Sequence, residues 1–444
     1  MGTRTPASER MNLLYANDQH GKYPDSWYTA TATPLPPFPP LRGEARANLC
    51  VIGAGYTGLS AALHAAQAGM DVIVIDAQRV GFGASGRNGG QVGTTFNAAP
   101  RALAKAVGSE DAEKLIEMGH AAADLTRDLC AKHAPDASFK PGLVHADRTI
   151  GEFSETQEEV EQLLKVSDSE EIELLDRTAL QEIVGSEGYE GGFINTRAGH
   201  LHPLRYAFGL ARACVEAGVR IHEATAAHRV TSQPYPLVQT AHGRIRAENI
   251  IVATNGYGTG LTKPTASRVM PLNNFIVATQ PLGDLAQSVL SRDVAVYDSR
   301  FVVNYFRLSE DKRLIFGGGE TYGYTFPKDI AGLVRKPLVR VFPQLKDVDI
   351  DYAWGGTLAI TTSRLPLITQ PEPHIWAASG YSGQGVALAG FVGKIIADAV
   401  SGNAACADLL KRLPTRAFPG GGALRTPLLA LAMTWYAMRD RLGG

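Results

Sequence analysis

The chain has 444 residues, of which 45% are hydrophobic and 20% are charged, a composition typical of a globular protein with room for two domains. Its formal net charge of −1 excludes the strongly basic surface on which nucleic-acid binding depends. The four cysteines, Cys50, Cys130, Cys214 and Cys406, are scattered and form no C-x-x-C pair. They favour a reduced, cytoplasmic protein without a metal site over a disulfide scaffold.

A proline-rich stretch lies near the N-terminus, where residues 29–40 read T-A-T-A-T-P-L-P-P-F-P-P. Proline lacks an amide donor and restricts the residue before it, so this stretch is not expected to be helical. We predict that residues 1–45 form an extended N-terminal arm, either packed on the body of the protein or free.

The segment V-I-G-A-G-Y-T-G at residues 51–58 lies between a predicted buried strand and a predicted Ala-rich helix. Gly53, Gly55 and Gly58 match the G-x-G-x-x-G pattern, which binds the pyrophosphate of a dinucleotide at a helix N-terminus. The pattern predicts an adenine dinucleotide; the alternative is an ordinary turn at the start of a helix.

An apolar strand predicted at residues 72–75 ends at Asp76. An acid at this distance from the glycines accepts a ribose hydroxyl and repels a 2′-phosphate. The cofactor is therefore expected to be NAD or FAD rather than NADP.

A glycine-rich loop, R-V-G-F-G-A-S-G-R-N-G-G-Q at residues 79–91, follows this strand. Ordering five glycines costs conformational entropy, which indicates a backbone that lies close to a ligand. Arg87 and Asn88 could reach a pyrophosphate or a flavin carbonyl, and Gly89 and Gly90 let the chain pass flat against a flavin ring. The loop favours FAD over NAD; the alternative is a flexible surface loop.

The middle of the chain alternates between predicted helices and strands. Residues 203–217 predict a helix, and residues 250–253 predict a strand that runs into A-T-N-G at 253–256. Between residues 270 and 320, β-branched and aromatic residues predict several strands with a hairpin turn at 309–312.

A third glycine-rich turn, G-Y-S-G-Q-G at residues 380–385, joins a predicted strand at 375–379 to a predicted helix at 386–400. The N-terminus of that helix could stabilise negative charge on a reduced flavin; the alternative is an ordinary strand-to-helix turn. Together these elements predict an α/β fold in which a mixed-sheet α+β substrate domain interrupts a Rossmann-type FAD-binding domain.

The predicted boundaries follow from the order of these elements. They are an N-terminal arm at 1–45, an FAD-binding domain at 46–100, 200–258 and 352–405, a substrate domain at 101–199 and 259–351, and a C-terminal segment at 406–444.

The C-terminal segment contains an apolar stretch at residues 427–438. It is shorter than the ~20 residues that a membrane span needs, so no transmembrane span is expected. A docked terminal helix is favoured; the alternative is a peripheral contact with a membrane surface or a partner helix.

The fingerprint, the A-S-G-R-N-G-G-Q loop, A-T-N-G and G-Y-S-G-Q-G together resemble the D-amino-acid oxidase/glycine oxidase superfamily of FAD enzymes. Within it, the chain resembles the gamma-glutamylputrescine oxidases most specifically. The matching stretches are S-W-Y-T-A at 26–30, the loop at 79–91, G-H-L-H-P-L at 199–204, F-G-G-G at 316–319, F-P-Q-L-K at 342–346 and R-D-R-L-G at 439–443. The resemblance spans nearly the whole chain and implies a glycine/sarcosine oxidase-like fold.

The resemblance also implies a reaction. An FAD-dependent amine oxidase would oxidise a C–N bond of gamma-glutamylputrescine or a related polyamine by hydride transfer to flavin N5. The products are an aldehyde, ammonia and hydrogen peroxide, with dioxygen as the acceptor. One alternative is a membrane-coupled FAD-dependent dehydrogenase of D-amino acids or secondary amines that uses a respiratory acceptor. Another is a flavin-binding partner subunit without turnover.

The chain departs from the sarcosine oxidases at two places. Ala387 stands where those enzymes have a lysine that helps to hold a substrate carboxylate, which implies an amine substrate rather than an α-amino acid. Residues 354–358, W-G-G-T-L, lack the cysteine to which sarcosine oxidases attach their flavin, so FAD is expected to be noncovalent.

The residues that the resemblance places against FAD come from several stretches of the chain. They are Gly53, Gly55, Tyr56, Thr57, Gly58, Asp76 and Ala77; Gly83, Ala84, Ser85, Arg87, Asn88, Gly89, Gly90 and Gln91; Ala227, Ala253, Thr254 and Asn255; and Gly380, Tyr381, Ser382, Gly383, Gln384, Gly385 and Val386.

Six residues are candidates for the substrate pocket, and the flavin itself carries the chemistry. They are Tyr305, Arg307, Trp354, Tyr381, His200 and His202. Arg307 could pair with a glutamyl carboxylate or lie on the sheet surface. The two histidines suggest a metal, but no carboxylate or cysteine cluster accompanies them, so a structural or substrate-mouth role is favoured. Trp354 and Tyr381 could form the walls of an amine pocket, with core packing as the alternative for Trp354.

Overall fold

Two β-sheets organise the part of the chain that the computed structural model describes, residues 12–165, 171–258 and 260–419. The strands are β1 (Gly43–Ile52), β2 (Val72–Ile75), β3 (Gln91–Val92), β4 (Lys140–Asp147), β5 (Ile172–Asp176), β6 (Gly191–His200), β7 (Arg220–His222), β8 (Ala227–Thr231), β9 (Leu237–Thr240), β10 (Gly243–Val252), β11 (Met270–Thr279), β12 (Ala295–Asp298), β13 (Tyr305–Leu308), β14 (Leu314–Thr321), β15 (Ile350–Ile360), β16 (Leu367–Glu372) and β17 (Ile375–Ser379).

Helices connect these strands and cover the sheets. They are α1 (Trp27–Thr31), α2 (Tyr56–Gln67), α3 (Pro100–Val107), α4 (Ser109–His133), α5 (Ile150–Leu163), α6 (Arg177–Ile183), α7 (Pro203–Glu216), α8 (Lys263–Arg268), α9 (Ile330–Val341), α10 (Gly385–Val400) and α11 (Ala405–Lys411).

The first sheet has eight strands, in the order β16-β17-β10-β1-β2-β7, with β9 beside β10 and β8 beside β9. Strands β17, β10, β1, β2 and β7 are parallel neighbours. The chain passes from β1 to β2 on one side and returns through β10 on the other, and the carboxyl ends of such strands form a crevice. The predicted α/β class with a Rossmann-type sheet is confirmed.

Both faces of the first sheet are buried towards the carboxyl ends of its central strands, which explains the apolar runs at residues 49–52, 72–75 and 250–252. Leu49 and Val51 of β1 join a core with residues of α2 and α10, whereas Cys50 and Ile52 pack on the opposite face with Val238 of β9. Successive residues of a strand point to opposite faces, so each strand contributes to both cores.

The second sheet has nine mixed strands, in the order β15-β11-β14-β13-β12-β4-β6-β3, with β5 beside β6. On one face, Phe275 and Val277 of β11 pack with Val334 and Leu338 of α9. The other face lines a cavity shared with the first sheet.

Two strands of the second sheet lie partly or wholly inside the segments predicted for the FAD-binding domain. The FAD-binding domain was expected to resume at residue 352, but β15 begins at Ile350 and pairs with β11 throughout, so it continues the backbone ladder of the second sheet. Likewise β3 (Gln91–Val92), which falls inside the predicted 46–100 segment, pairs with β6 of the second sheet.

The N-terminal arm packs on the body of the protein over its described residues. Contrary to the prediction for residues 29–40, residues 29–31 form the end of α1, which Ser26 caps by accepting a hydrogen bond from Thr29 N. The first proline of the stretch is Pro34, and its restriction reaches only the residue before it.

The terminal helix predicted within residues 427–438 lies outside the described residues. Within the described ranges, no helix is both long and apolar enough to cross a membrane.

Candidate functional site

A cavity of about 660 Å³ lies between the carboxyl ends of the parallel strands and the second sheet. Ile52 and Gly53 at the end of β1, Asp76 after β2 and Ala253 after β10 line one side, and residues of β11 line another. Ligands of doubly wound sheets bind at this position, where the strand order reverses.

The turn between β1 and α2 is shaped by glycine. Gly53 has φ +111°, and a Cβ at Gly58 would lie 1.9 Å from Gly53 O. The backbone therefore folds back on itself so that the first turn of α2, with its exposed amides and positive dipole end, meets the cavity. Gly58 itself is not on the cavity wall, and its role is this close packing.

Asp76 holds the same turn from the neighbouring strand. Its Oδ2 accepts Ala54 N at 2.7 Å and its Oδ1 accepts Gln78 N at 2.8 Å. Burial raises the pKa of the Asp76 carboxyl to about 6, although the two amide hydrogen bonds act in the opposite direction. At neutral pH the carboxylate is ionised, and each oxygen keeps a lone pair for a ribose hydroxyl.

The glycine-rich loop is fastened to α2 by Ser85, whose Oγ accepts Tyr56 N at 3.0 Å. The side chain of Asn88 bonds to its own loop, because its amide donates to Ala84 O and Ser85 O and its Oδ1 accepts Gly90 N. Asn88 lines the cavity, yet its polar atoms shape the loop rather than reach outward. Gly90 also shapes the loop, but it does not line the cavity. Its φ is +81°, and a Cβ there would lie 2.1 Å from Leu201 O.

The guanidinium of Arg87, which was predicted to reach a ligand, makes most of its contacts within the protein. Its Nε donates to Phe82 O at 2.7 Å, and its Nη1 lies 2.9 Å from Asp18 Oδ2 of the N-terminal arm. Its Nη2 is buried without a hydrogen-bond partner among the described residues. One nitrogen therefore remains for a ligand, while the rest of the guanidinium ties the loop to the arm.

The late turn packs against α2. Tyr381 Oη and Thr57 Oγ1 are 2.7 Å apart and buried, and a Cβ at Gly393 of α10 would lie 2.2 Å from Thr57 O. Gly380 is not on the wall; its φ is +74°, and its amide donates to Asn255 Oδ1 at 3.1 Å. The N-termini of α2 and α10 are thus brought together at one cavity.

All other residues predicted to contact FAD lie on the cavity wall. They are Gly53, Gly55, Tyr56, Thr57, Asp76, Ala77, Gly83, Ala84, Ser85, Arg87, Asn88, Gly89, Gln91, Ala227, Ala253, Thr254, Asn255, Tyr381, Ser382, Gly383, Gln384, Gly385 and Val386.

The second sheet closes the cavity with alternate side chains. Leu272, Asn274 and Ile276 of β11 line it together, as the period of two requires. Tyr305 of β13 also lines it and donates from Oη to Asn274 Oδ1 at 2.5 Å. The result is an apolar wall with a few fixed polar groups, which is typical of small-molecule sites.

The ring of Tyr305 fits between two glycines. A Cβ at Gly89 would lie 2.7 Å from the ring, and a Cβ at Gly317, the cross-strand partner of Tyr305, would lie 2.0 Å from Cζ. Tyr305 is therefore positioned by the glycine-rich loop on one side and by the sheet on the other.

Arg307 does not line the cavity, so its predicted pairing with a glutamyl carboxylate is not supported. The side chain is 4% exposed, and its Nε donates to Gly89 O at 2.9 Å. The remaining donors contact Leu308 O and Tyr28 Oη. Arg307 instead holds the loop backbone against Tyr305.

Trp354 is likewise a core residue rather than a wall of the pocket. It is 2% exposed, and its Nε1 donates to Arg87 O at 3.0 Å. Its ring meets Tyr28 edge to face, with the centroids 5.2 Å apart.

The two histidines have structural positions away from the cavity wall. His202 caps α7 by accepting Arg205 N at Nδ1, and its Nε2 lies 3.0 Å from Thr31 Oγ1. Burial lowers the pKa of both histidines, and it lowers that of His202 well below its usual value. No cluster of three metal-ligating side chains occurs within the described ranges.

Several polar residues of the wall were not predicted from the sequence. Among them are Asn274 of β11, Glu320 of β14, and Arg300 and Arg364, which lie outside the strands. Of these four, only Asn274 has a signal in the sequence, as a polar residue in a largely apolar strand. No cysteine lines the cavity among the described residues.

A Rossmann-type cradle that opens onto a mixed-sheet cavity is an arrangement of flavin-dependent oxidoreductases. The chain belongs to the DAO family of FAD-dependent oxidoreductases, whose family model matches residues 48–399. The family and the cofactor predicted from the motifs are confirmed.

Similar proteins cover nearly the whole chain. The probable oxidoreductase OrdL of Rhizobium meliloti (strain 1021) is 40% identical over 417 residues, which are 94% of this chain and 97% of that protein. The gamma-glutamylputrescine oxidoreductase of Escherichia coli (strain K12) is 36% identical over 427 residues, 95% of this chain and 99% of that protein. Glycine oxidase from Geobacillus kaustophilus has the same fold, with a TM-score of 0.69 and 19% identity over 80% of this chain and 95% of that one.

The Tyr381–Thr57 contact predicts a modest effect on cofactor affinity. We expect Tyr381→Phe to weaken FAD binding about fivefold, because a buried hydrogen bond contributes about 1 kcal/mol. Titration of the apoprotein, followed by quenching of FAD fluorescence, measures this. Tyr324→Phe, at an exposed tyrosine, is the control. Unchanged affinity in Tyr381→Phe would show that the contact does not support the site.

Proposed function

We propose that this chain is an FAD-dependent amine oxidase that acts on gamma-glutamylputrescine or a related polyamine derivative. The observation that carries the proposal is one continuous cavity in which a dinucleotide cradle meets an apolar sheet face bearing Tyr305 and Asn274. The dinucleotide and the amine would thus share one enclosed space.

The residues present fit FAD. The first turn of α2 and the orphaned Nη2 of Arg87 suit a diphosphate, Asp76 suits the adenosine ribose, and the start of α10 suits the pyrimidine end of the ring. The binding is proposed to be noncovalent. When bound, FAD would supply the redox chemistry, by taking a hydride at N5 from the carbon beside the amine nitrogen and passing the electrons to dioxygen.

The overall reaction converts R–CH2–NH2, O2 and H2O into R–CHO, NH3 and H2O2. The apolar side chains of β11 remove water from around the amine, which disfavours its charged form and leaves a lone pair on nitrogen. Tyr305 is fixed by Asn274 and two glycines and so can orient the substrate without moving. No side chain has to act as a separate base if the neutral amine is bound.

The choice of substrate has two supports. The Escherichia coli relative is named for gamma-glutamylputrescine and matches along almost its entire length. In this chain position 387 is an alanine, which has no charge to offer the α-carboxylate of a small amino acid. The residue is also buried within α10, at 1% exposure.

The experiment is an anaerobic panel followed at the flavin absorbance. We expect gamma-glutamylputrescine to bleach the flavin at lower concentration than putrescine, spermidine or simple amino acids. N-butyl-γ-glutamine, which lacks the terminal amine, serves as the control and should not bleach it. Admission of air should then yield one hydrogen peroxide per amine consumed.

Two outcomes would contradict the proposal. If no amine bleaches the flavin, the substrate assignment is wrong, although membership of the family stands. If bleaching occurs but air yields no peroxide, a dehydrogenase with another acceptor is the better description.

A further inference from the structure

The wall of the cavity contains three arginines in the described residues, and two of them are paired within the protein. Arg87 is paired with Asp18, and Arg300 Nε lies 3.3 Å from Asp298 Oδ2. Arg364 has no carboxylate within 4.0 Å among the described residues. Its guanidinium lies over the ring of Phe301, 5.3 Å from the centroid.

Arg364 is presented by a short turn after β15. Its amide donates to Thr361 O at 3.3 Å, and Thr361 Oγ1 donates to Leu365 O at 2.7 Å across the same turn. An arginine at a concave wall that has no carboxylate partner among the described residues is suited to bind a carboxylate, because the planar fork can donate two parallel hydrogen bonds.

Glu320 supplies the opposite charge on the same wall. It is the cross-strand partner of Asn274, and its Oε2 accepts a hydrogen bond from Tyr322 Oη at 2.9 Å. Burial raises the pKa of the Glu320 carboxyl, while Tyr322 and the positive charge of Arg364 lower it. Arg364 and Glu320 therefore influence each other's charge but are too far apart to form an ion pair.

We propose that Arg364 and Glu320 bind the charged head of a γ-glutamyl group, Arg364 its α-carboxylate and Glu320 its α-ammonium. This deepens the proposed function and rests on it. Two opposite charges that face one cavity without neutralising each other match a zwitterion. A bare diamine would leave Arg364 without a partner, and a partly buried charge is stabilised by pairing. The apolar residues Leu272, Ile276 and Leu358 suit an aliphatic chain between the head and the reacting amine.

The test uses four amides of putrescine that differ only in the head. γ-Glutamylputrescine carries both charges, glutarylputrescine only the carboxylate, 4-aminobutanoylputrescine only the second ammonium, and butanoylputrescine neither. We expect Arg364→Gln to raise KM about thirtyfold for the first two and to leave the last two unchanged. Glu320→Gln should raise KM for the first and third. Arg364→Lys should restore part of the loss.

Controls separate this proposal from the proposed function. Arg340→Gln, at an exposed arginine of α9, should change no value. Binding of N-butyl-γ-glutamine to the holoenzyme, read from the shift of the flavin absorbance, tests the head group without turnover. We expect Arg364→Gln to weaken this binding about thirtyfold as well.

The outcomes are distinct. If the wild type oxidises none of the four amides but binds N-butyl-γ-glutamine through Arg364, the proposed reaction is wrong and the head-group site stands. Equal losses for all four amides in Arg364→Gln, or loss of FAD, would assign Arg364 to the cofactor or to the fold and overturn the head-group site. Unchanged KM values in Arg364→Gln would also overturn the head-group site.

Discussion

Gly58→Ala should give a protein that does not retain FAD. The added Cβ would lie 1.9 Å from Gly53 O and 3.1 Å from Val51 Cγ1, and the first of these contacts is with backbone that cannot rotate away. Either α2 moves off β1 or the turn at Gly53 opens, and both changes displace the amides that meet the cavity. Overpacking of this severity costs about 3 kcal/mol or more. The measurement is the ratio of flavin to protein absorbance after purification, together with the unfolding temperature.

The matched control is Gly151→Ala. Gly151 also lies in the first turn of a helix, but a Cβ there would meet only Thr149 Oγ1, at 4.0 Å. We expect the stability to change by less than about 1 kcal/mol, because the substitution merely replaces glycine by a better helix former. Normal flavin content in Gly58→Ala would show that the turn can relax, contrary to the close contact.

Gly317→Ala should lower kcat/KM about a hundredfold while leaving the flavin content unchanged. Its Cβ would lie 2.0 Å from Tyr305 Cζ and 2.5 Å from Tyr305 Oη. The ring must then leave the space between Gly89 and Gly317, and its hydrogen bond to Asn274 is lost. A displacement of about 1 Å at a positioning group can reduce the rate by two orders of magnitude. Steady-state oxidation of gamma-glutamylputrescine, the proposed substrate, measures the effect.

Two further variants serve as comparisons for Gly317→Ala. Tyr305→Phe keeps the ring and removes only the hydroxyl, so a smaller loss than in Gly317→Ala is expected. Gly323→Ala, just beyond the same strand, places a Cβ no nearer than 4.0 Å to any neighbour and should behave as the wild type. If Gly317→Ala retains full activity, Tyr305 does not position the substrate.

The sequence predicted the part of the cavity wall that is proposed to bind the cofactor far better than the part that is proposed to bind the substrate. The turn at Gly53 and the acid at Asp76 act through local backbone geometry, and local geometry leaves a fixed spacing in the chain. Ser85 and Tyr381 were found for a similar reason, since each lies in a glycine-rich turn next to a strand or helix.

The substrate side depends on which surfaces meet, and spacing carries no such information. Arg307 and Tyr305 share a face of β13, yet only Tyr305 reaches the cavity, because the loop at Gly89 covers Arg307. Arg364 follows β15 in a short turn, and its proposed role depends on the absence of a carboxylate within 4.0 Å among the described residues. Only the tertiary structure distinguishes these two arginines.

The N-terminal arm has a consequence for the order of events in biosynthesis. Asn12 and Leu14 line the cavity, and Asn17 bonds to Tyr324 O and to Phe326 N, partners more than 300 residues later in the chain. The ribosome releases Asn17 before either partner, so these contacts can form only after residue 326 has been synthesised. The cavity is thus completed late, which makes capture of the cofactor an event that follows synthesis of most of the chain.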